Sequence, residues 1–372
     1  MPCTITVHPA ANLPEDVTAF WRARQFEQDP LKGLTGSPEW FAMMAAGGGG
    51  EALVLRKEGG TCCGVIPLLS QTARLGRRVS QVFRVCGGDL IEDGLGAADL
   101  RSAMEDLLRR HPRCDAMILD HVQAGSRLEL LAAACGRRSV CFLHPVGGEK
   151  PHYRLALPPS WESFSQLRSP ESIKKIDRRD RALSRETGSP TRLLEIRQMA
   201  DAAPYAQQIV SLMSTTWQAR RLGHSVDLNG MREVASRGWL RCFLLLADAE
   251  AVAFVLGYQG MGGYVYEQVG YDQRFARHSP GTILLYRLIR QLYEADTPRW
   301  VDFGEGDAEY KQVLANDVIS IQSVMAVRRR LDLRLQFAVT SALELGTRVA
   351  KVLLAKIGMK QSLARRLKRG SS

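Results

Sequence analysis

The pattern that most constrains how this chain folds occurs in it twice. Leu53–Lys57, a turn at Glu58–Gly60 and Val65–Leu69 read as two strands of a hairpin, and Cys242–Gln259 reads the same way with its turn near Asp248–Glu250. After the first hairpin come a loop bearing Cys86-Gly87-Gly88-Asp89, a helical stretch from Ala98 to Arg110 and a short apolar strand from Ala116 to Asp120. After the second come the aromatic strand Tyr264–Gly270, a helix from Gly281 to Glu294 and the strand Trp300–Phe303. Leu53 and Leu244 stand 191 positions apart, and Ile118 and Val301 stand 183 apart, so order and spacing recur together. A duplicated mixed α/β unit is the expectation, each copy a mixed sheet flanked by helices.

Pro145–Pro159 is rich in Pro and Gly and predicts a linker between the copies. The expected division is therefore 1–150 for a first domain, 151–330 for a second and 331–372 for a tail. After the linker, Pro170–Thr187 predicts a charged helix whose apolar positions are Ile173, Ile176 and Leu183, a solvated element laced with local ion pairs. The formal charge of +11 invites a nucleic-acid reading, but its distribution argues against one. From Arg328 to the end there are twelve Lys and Arg against Asp332 and Glu344, which leaves 38 basic and 37 acidic residues in the rest of the chain. A near-neutral body lacks the basic face that phosphate contacts require, so no nucleic-acid partner is expected. Within the tail, Leu335, Ala338, Ala342, Leu345, Val349 and Val352 follow helical spacing. The expectation is a basic amphipathic helix, either lying on an anionic membrane surface or docked on its own domain.

Met1–Glu15 has neither the basic start nor the apolar stretch of a secretory leader, and the eight cysteines form no zinc or disulfide spacing, so a cytoplasmic chain with reduced thiols is expected. The chemistry-bearing residues concentrate between Tyr264 and Lys311. Ser279-Pro280-Gly281-Thr282 is a helix start, with Ser279 expected to cap. Two other Ser-Pro starts, at Ser37 and Ser169, place a carboxylate next, Glu39 and Glu171. This one has Gly281 instead, with Arg274, Arg277 and His278 just upstream, an arrangement suited to a phosphate or pyrophosphate. Further on, Asp302-Phe303-Gly304-Glu305-Gly306-Asp307-Ala308-Glu309-Tyr310-Lys311 packs four carboxylates, a phenol and an amine behind an apolar strand, where open α/β sheets place ligands. No histidine is close to it in sequence, and no metal is expected. Trp217, Arg220, Arg221 and His224 read either as cleft residues or as a helix packing its Trp in the core.

The run YEQVGYDQRFARHSPGTILLYRLI followed by VDFGEGDAEYK resembles the GNAT-type acyltransferases of the CelD-like group, related in fold to the Fem aminoacyltransferases. A Tyr-Asp loop, a Ser-Pro-Gly helix start and an Asp-Phe-Gly-x-Gly-Asp-x-x-Tyr-Lys motif occur in that order, and the match is strongest over 170–315. The resemblance implies two GNAT-like domains in tandem. It also implies an acetyl-CoA or other acyl-CoA donor whose pyrophosphate rests on Arg277, His278, Ser279, Gly281 and Thr282. An amine or hydroxyl of a small molecule or glycan would accept the acyl group, in polysaccharide or envelope biosynthesis. An amine acceptor must lose a proton, and Glu267 and Asp302 are the first candidates for the base, with Glu305 and Asp307 behind them. Tyr310 is expected to protonate the departing thiolate, and Lys311 to hold an anionic part of either substrate. Chemistry is expected in the second half, the first shaping the acceptor cleft. Two alternatives stay open: a Fem-like enzyme with an aminoacyl-tRNA donor, and a non-catalytic GNAT-fold partner in an envelope assembly.

Overall fold

The computed structural model describes residues 3–28, 33–75, 78–88, 90–136, 140–216, 219, 223 and 225–339. Trp217, Arg220, Arg221, His224 and the basic segment from 340 onward lie outside them.

Thirteen strands form one sheet. The first half supplies β1 (Thr4–Pro9), β2 (Gly50–Arg56), β3 (Cys62–Leu75), β4 (Arg78–Val85), the two-residue β5 (Ile91–Glu92) and β6 (Cys114–Val122). Helices α1 (Glu15–Gln28), α2 (Pro38–Ala46) and α3 (Ala97–Arg110) lie between them, and α4 (Arg127–Gly136) precedes β7 (Cys141–Ala156). The second half opens with α5 (Trp161–Gln166) and α6 (Pro170–Thr187), then β8 (Thr191–Ile196). Next come α7 (Met199–Ala202), α8 (Ala206–Ser214), α9 (Leu228–Ser236), β9 (Cys242–Ala247), β10 (Glu250–Gly260) and β11 (Gly263–Tyr271). Helix α10 (Pro280–Glu294), β12 (Trp300–Glu305), α11 (Glu309–Leu314) and β13 (Asp317–Arg328) complete it.

The strand order β1-β2-β3-β4-β6-β13-β7-β12-β11-β10-β9-β8, with β5 beside β3, makes the duplication visible. Each half runs antiparallel until a helix carries the chain over to a parallel neighbour: α3 takes β4 to β6, and α10 takes β11 to β12. Then the halves exchange strands. β7, which follows the first half, pairs with β12 of the second, and β13, which follows the second, pairs with β6 of the first. β7 and β13 pair with each other along almost their whole length at the centre.

The residues expected to be a linker are therefore mostly strand, and the division expected at 150 falls inside β7. Its Pro and Gly content is accommodated by an irregularity. Between the pairs Ile321/Lys150 and Ser323/Val146 the register slips, and Gly147 adopts φ +75° there. Helix α6 also departs from expectation, since its acids reach across to other elements. Asp180 pairs with Arg287 of α10 and accepts from the Thr191 hydroxyl at 2.5 Å.

Two cores flank the second half of the sheet. Val301, Phe303, Tyr264 and Tyr266 pack with Ile283, Leu284 and Leu288 of α10 on one face, while Leu244, Leu246, Phe254 and Leu256 pack with α8 and α9 on the other. A β-bulge interrupts β10 and β11 between Leu256/Gln268 and Gly257/Tyr266, leaving Glu267 as the extra residue. Only glycine fits at 257, because a Cβ there would lie 2.2 Å from the Tyr264 hydroxyl oxygen and 2.7 Å from the Val265 carbonyl oxygen.

At the far end, residues 331–339 are helical. Leu333 is buried and Phe337 stacks on Phe142 and His144, whereas Leu335, on the apolar side expected from the sequence, faces solvent. No helix of the described residues is long and apolar enough to cross a membrane.

Candidate active site

Strands β11 and β12 pair in parallel at three positions, Gly263/Trp300, Tyr264/Val301 and Val265/Asp302, and then part. Parallel strands that separate leave backbone N–H and C=O groups of both edges facing a wedge, a place for a ligand to be gripped by main chain. Aromatic rings close one side of this wedge. Tyr310, brought there by α11, stacks against Tyr266 at 5.9 Å and Phe303 at 6.3 Å between ring centroids. Burial pushes the Tyr310 hydroxyl up to about 12, so it stays protonated at neutral pH and is available as a donor.

The helix α10 begins beside β11. Gln273–His278 forms a short 3-10 helix that Asp272 caps by accepting from Arg274 N–H, and Ser279 then adopts the left-handed φ of +53°. This geometry corrects one expectation: the Ser279 side chain makes no capping hydrogen bond, whereas Ser37 and Ser169 accept from the N–H groups of Trp40 and Ser172. The first turn of α10 carries no acid. Helix α3, its counterpart in the first half, folds Asp99 back onto the Gly96 N–H at 3.0 Å and so occupies its own N-terminus with a carboxylate. Only the second copy leaves this end open to an external anion.

The basic residues of that loop are already engaged. Arg274 pairs with Asp272 and Glu250, and Arg277 and His278 both reach Glu186 at the end of α6, with His278 Nε2 2.6 Å from the carboxylate. Those contacts hold the Glu186 carboxyl below its ordinary value.

On the other face of β12 a polar group gathers where the two halves meet. Because Val301 and Phe303 face α10, the alternation of the strand sends Asp302 to the opposite side. Its Oδ1 accepts from the Gly304 N–H at 2.7 Å and lies 2.8 Å from Nε2 of His152 on β7. Burial raises the Asp302 carboxyl, but the His152 contact and the Gly304 N–H outweigh it and bring it below its ordinary value. His121, just past Asp120 on β6, stands edge-on to His152 with ring centroids 5.4 Å apart. Desolvation in the crevice and the nearby His152 hold the His121 imidazole below the usual histidine value. Its backbone is at φ +58°, and Asp120 before it is fixed by Arg84 and by the Ser323 hydroxyl at 2.9 Å. At the rim, Glu305 pairs with Lys150 at 2.8 Å.

The residues singled out in the sequence thus divide into three groups. Asp302 and Glu305 join the polar crevice, Tyr310 lines the wedge, and Glu267 sits exposed on the bulge of β11. Arg277, His278, Ser279, Gly281 and Thr282 lie together at the start of α10. Lys311 is buried, and its amine donates to the backbone oxygens of Glu305 at 2.8 Å and Gly304 at 3.3 Å, so it pins the turn after β12. Asp307 accepts from the Tyr153 hydroxyl at 2.7 Å. His152 was not among the predicted residues, because it lies in the stretch that reads as a linker. The alternating run Tyr153–Ala156 beside it is the signal of a strand. Among the described residues no group of three or more His, Cys, Asp or Glu side chains is arranged to hold a metal ion.

Comparison with known proteins gives the fold a family setting. A family model described as an acetyltransferase (GNAT) domain matches residues 171–312, which contain the wedge, the start of α10 and Asp302. No curated protein matches the chain. Among solved structures it is similar to FemX, with a TM-score of 0.54 and 12% identity over 85% of this chain and 96% of that one. It is also similar to a tandem GNAT protein from the clavulanic acid biosynthesis pathway, with a TM-score of 0.52 and 13% identity over 88% and 99%. A GCN5-related glucosamine N-acetyltransferase region of a fungal multi-domain β-N-acetylglucosaminidase gives a TM-score of 0.51 and 10% identity, over 88% of this chain and 38% of that one. The fold is two GNAT-like units in tandem, with a GNAT domain in the second.

Proposed function

We propose that this chain is an acyltransferase that moves an acyl group, acetyl as the working case, from a CoA thioester to an amine or hydroxyl acceptor. The observation that carries this reading is the parting of parallel β11 and β12 directly after Val265/Asp302, beside a helix start that has neither a capping side chain nor an acid. In this arrangement the start of α10 receives the donor's phosphates, with Arg277 and His278 turning toward them from Glu186. The wedge backbone holds the thioester arm and polarises its carbonyl. Tyr310 is placed to protonate the leaving thiolate, and the acceptor enters from the crevice between the halves. The GNAT family match over these same elements supports the reading, and a glycan or other envelope precursor is the acceptor class we propose. A CelD-like membership is likewise a proposal, resting on the quoted motifs.

Calorimetry with acetyl-CoA tests it. Binding that is lost on Gly281→Glu, which places a carboxylate where the other Ser-Pro helices carry one, is the expected result; absence of binding to the wild type would sink the reading. Glu186→Gln is expected to tighten acetyl-CoA binding about two- to fivefold. The carboxylate competes with the donor for Arg277 and His278, and because these pairs are exposed and screened by solvent the gain from removing it is small.

A further inference from the structure

The His152–Asp302 contact determines where a proton sits. Asp302 is held as a carboxylate and can only accept, so Nε2 of His152 carries a hydrogen pointing at Asp302 Oδ1, and in the neutral ring the lone pair is on Nδ1. That Nδ1 is buried and, among the described residues, has no hydrogen-bond partner. Leaving a buried acceptor unsatisfied forfeits its hydration with nothing in return. A fold that keeps such a group next to a wedge of separated strands has an acceptor atom ready for a donor that arrives with substrate.

The surrounding elements are consistent with this. His121 from β6 stands edge-on to the His152 ring, from a backbone in the sparsely populated left-handed region. The charged and titratable groups facing the pair are Asp302 and Glu305 from β12, Lys150 from β7, and Asp120 with its partner Arg84 from β6 and β4. β13 contributes Ser323, which bonds Asp120.

Resting on the acyl-transfer reading, we propose that His152 is the base that takes the acceptor's proton, that Asp302 positions it, and that His121 is the side wall the acceptor displaces to reach Nδ1. As the acceptor nitrogen bonds to the thioester carbonyl carbon, its proton passes to His152 Nδ1. The carbon–sulfur bond then breaks, the thiolate takes the Tyr310 proton, and the imidazolium and phenolate re-equilibrate with solvent. Asp302, a candidate base in the sequence, acts here through His152.

Two measurements on the full chain test the assignment. Nitrogen NMR of the labelled protein at neutral pH is expected to show His152 with its proton on Nε2 and a bare Nδ1; a proton on Nδ1 overturns the proposal. Thiol release from acetyl-CoA, with ethanolamine as the probe amine, is expected to fall about 100-fold or more in His152→Gln and to be partly restored by added imidazole. The wild-type decline of rate toward acid should be missing from the variant. Wild-type turnover no greater than that of His152→Gln overturns it. Acetyl-CoA affinity, measured in parallel, is expected to stay within twofold in the variant; a wild type that fails to bind acetyl-CoA refutes the donor assignment instead, and leaves the tautomer to be judged on the NMR alone.

Discussion

Asp302→Ala is expected to reduce the rate of acyl transfer by about 10²–10⁴-fold, the range that a positioned acid–base group contributes. Two donors converge on Asp302 Oδ1, the Gly304 N–H and His152 Nε2. Alanine removes both anchors, so the imidazole loses its orientation and its tautomer together. Asp302→Asn is expected to cost less, about 10–100-fold, because an amide oxygen can serve the same two donors while lacking the charge that favours the imidazolium. Hydrogen bonds to charged groups are worth about 1.5–3 kcal/mol, which converts to that range. Equal losses in the two variants would mean that Asp302 acts by charge alone and does not orient His152. Stability gives an independent readout. The folded-state carboxyl is lowered, so its contribution is present above the unfolded-state value and is lost as the pH falls through the folded one. Urea midpoints of the wild type should decline over that acidic window more steeply than those of either variant.

Much of the architecture was legible because its signals are local. The hairpin of β9 and β10, the acid-free start of α10 and the carboxylate run after β12 are each written in a dozen consecutive residues, and the structure has all three, although Ser279 does not cap as its Ser-Pro pattern suggests. Strand exchange is not local. β7 carries Pro145, Gly147, Gly148 and Pro151, the residues of a linker, and becomes a central strand only because β13, more than 160 residues later, supplies its partner. The crevice was half-hidden for the same reason: Asp302 belongs to a visible motif, but His152 and His121 come from strands that meet it through β13 and β7. Lys311 shows the opposite limit. Its motif advertises an amine, while the turn it follows claims that amine for two backbone oxygens. Asp180 and Glu186, on a helix read as laced with local ion pairs, instead pair with Arg287, Arg277 and His278 of other elements, because spacing along one helix says nothing about which group faces it from another.

The largest loss of stability is expected from Arg241→Met, about 3–5 kcal/mol, read as a fall in the urea midpoint at constant slope. The Arg241 side chain is only 1% exposed. Its guanidinium donates to Glu195 at 2.7 Å, to the Ala295 and Asp296 backbone oxygens at 2.6 and 3.2 Å, and to the Gln259 side chain. Methionine fills much of the volume of the stem but takes the donor from the Ala295 backbone oxygen and the Gln259 side chain and the buried cation from Glu195, and breaking a buried pair from one side costs more than never having built it. Adding Glu195→Leu should therefore recover part of the loss; an additive double variant would show that Glu195, which Arg197 also reaches at 2.7 Å, is satisfied without Arg241. The clamp has a functional consequence as well. Ala295 and Asp296 directly follow α10, and the Arg241 backbone oxygen accepts from Tyr264, whose hydroxyl lies against Gly257 at the bulge of β11. One arginine thus ties the far end of the donor helix to the strand that forms the wedge. Acetyl-CoA affinity should fall in Arg241→Met even at temperatures where the variant remains folded.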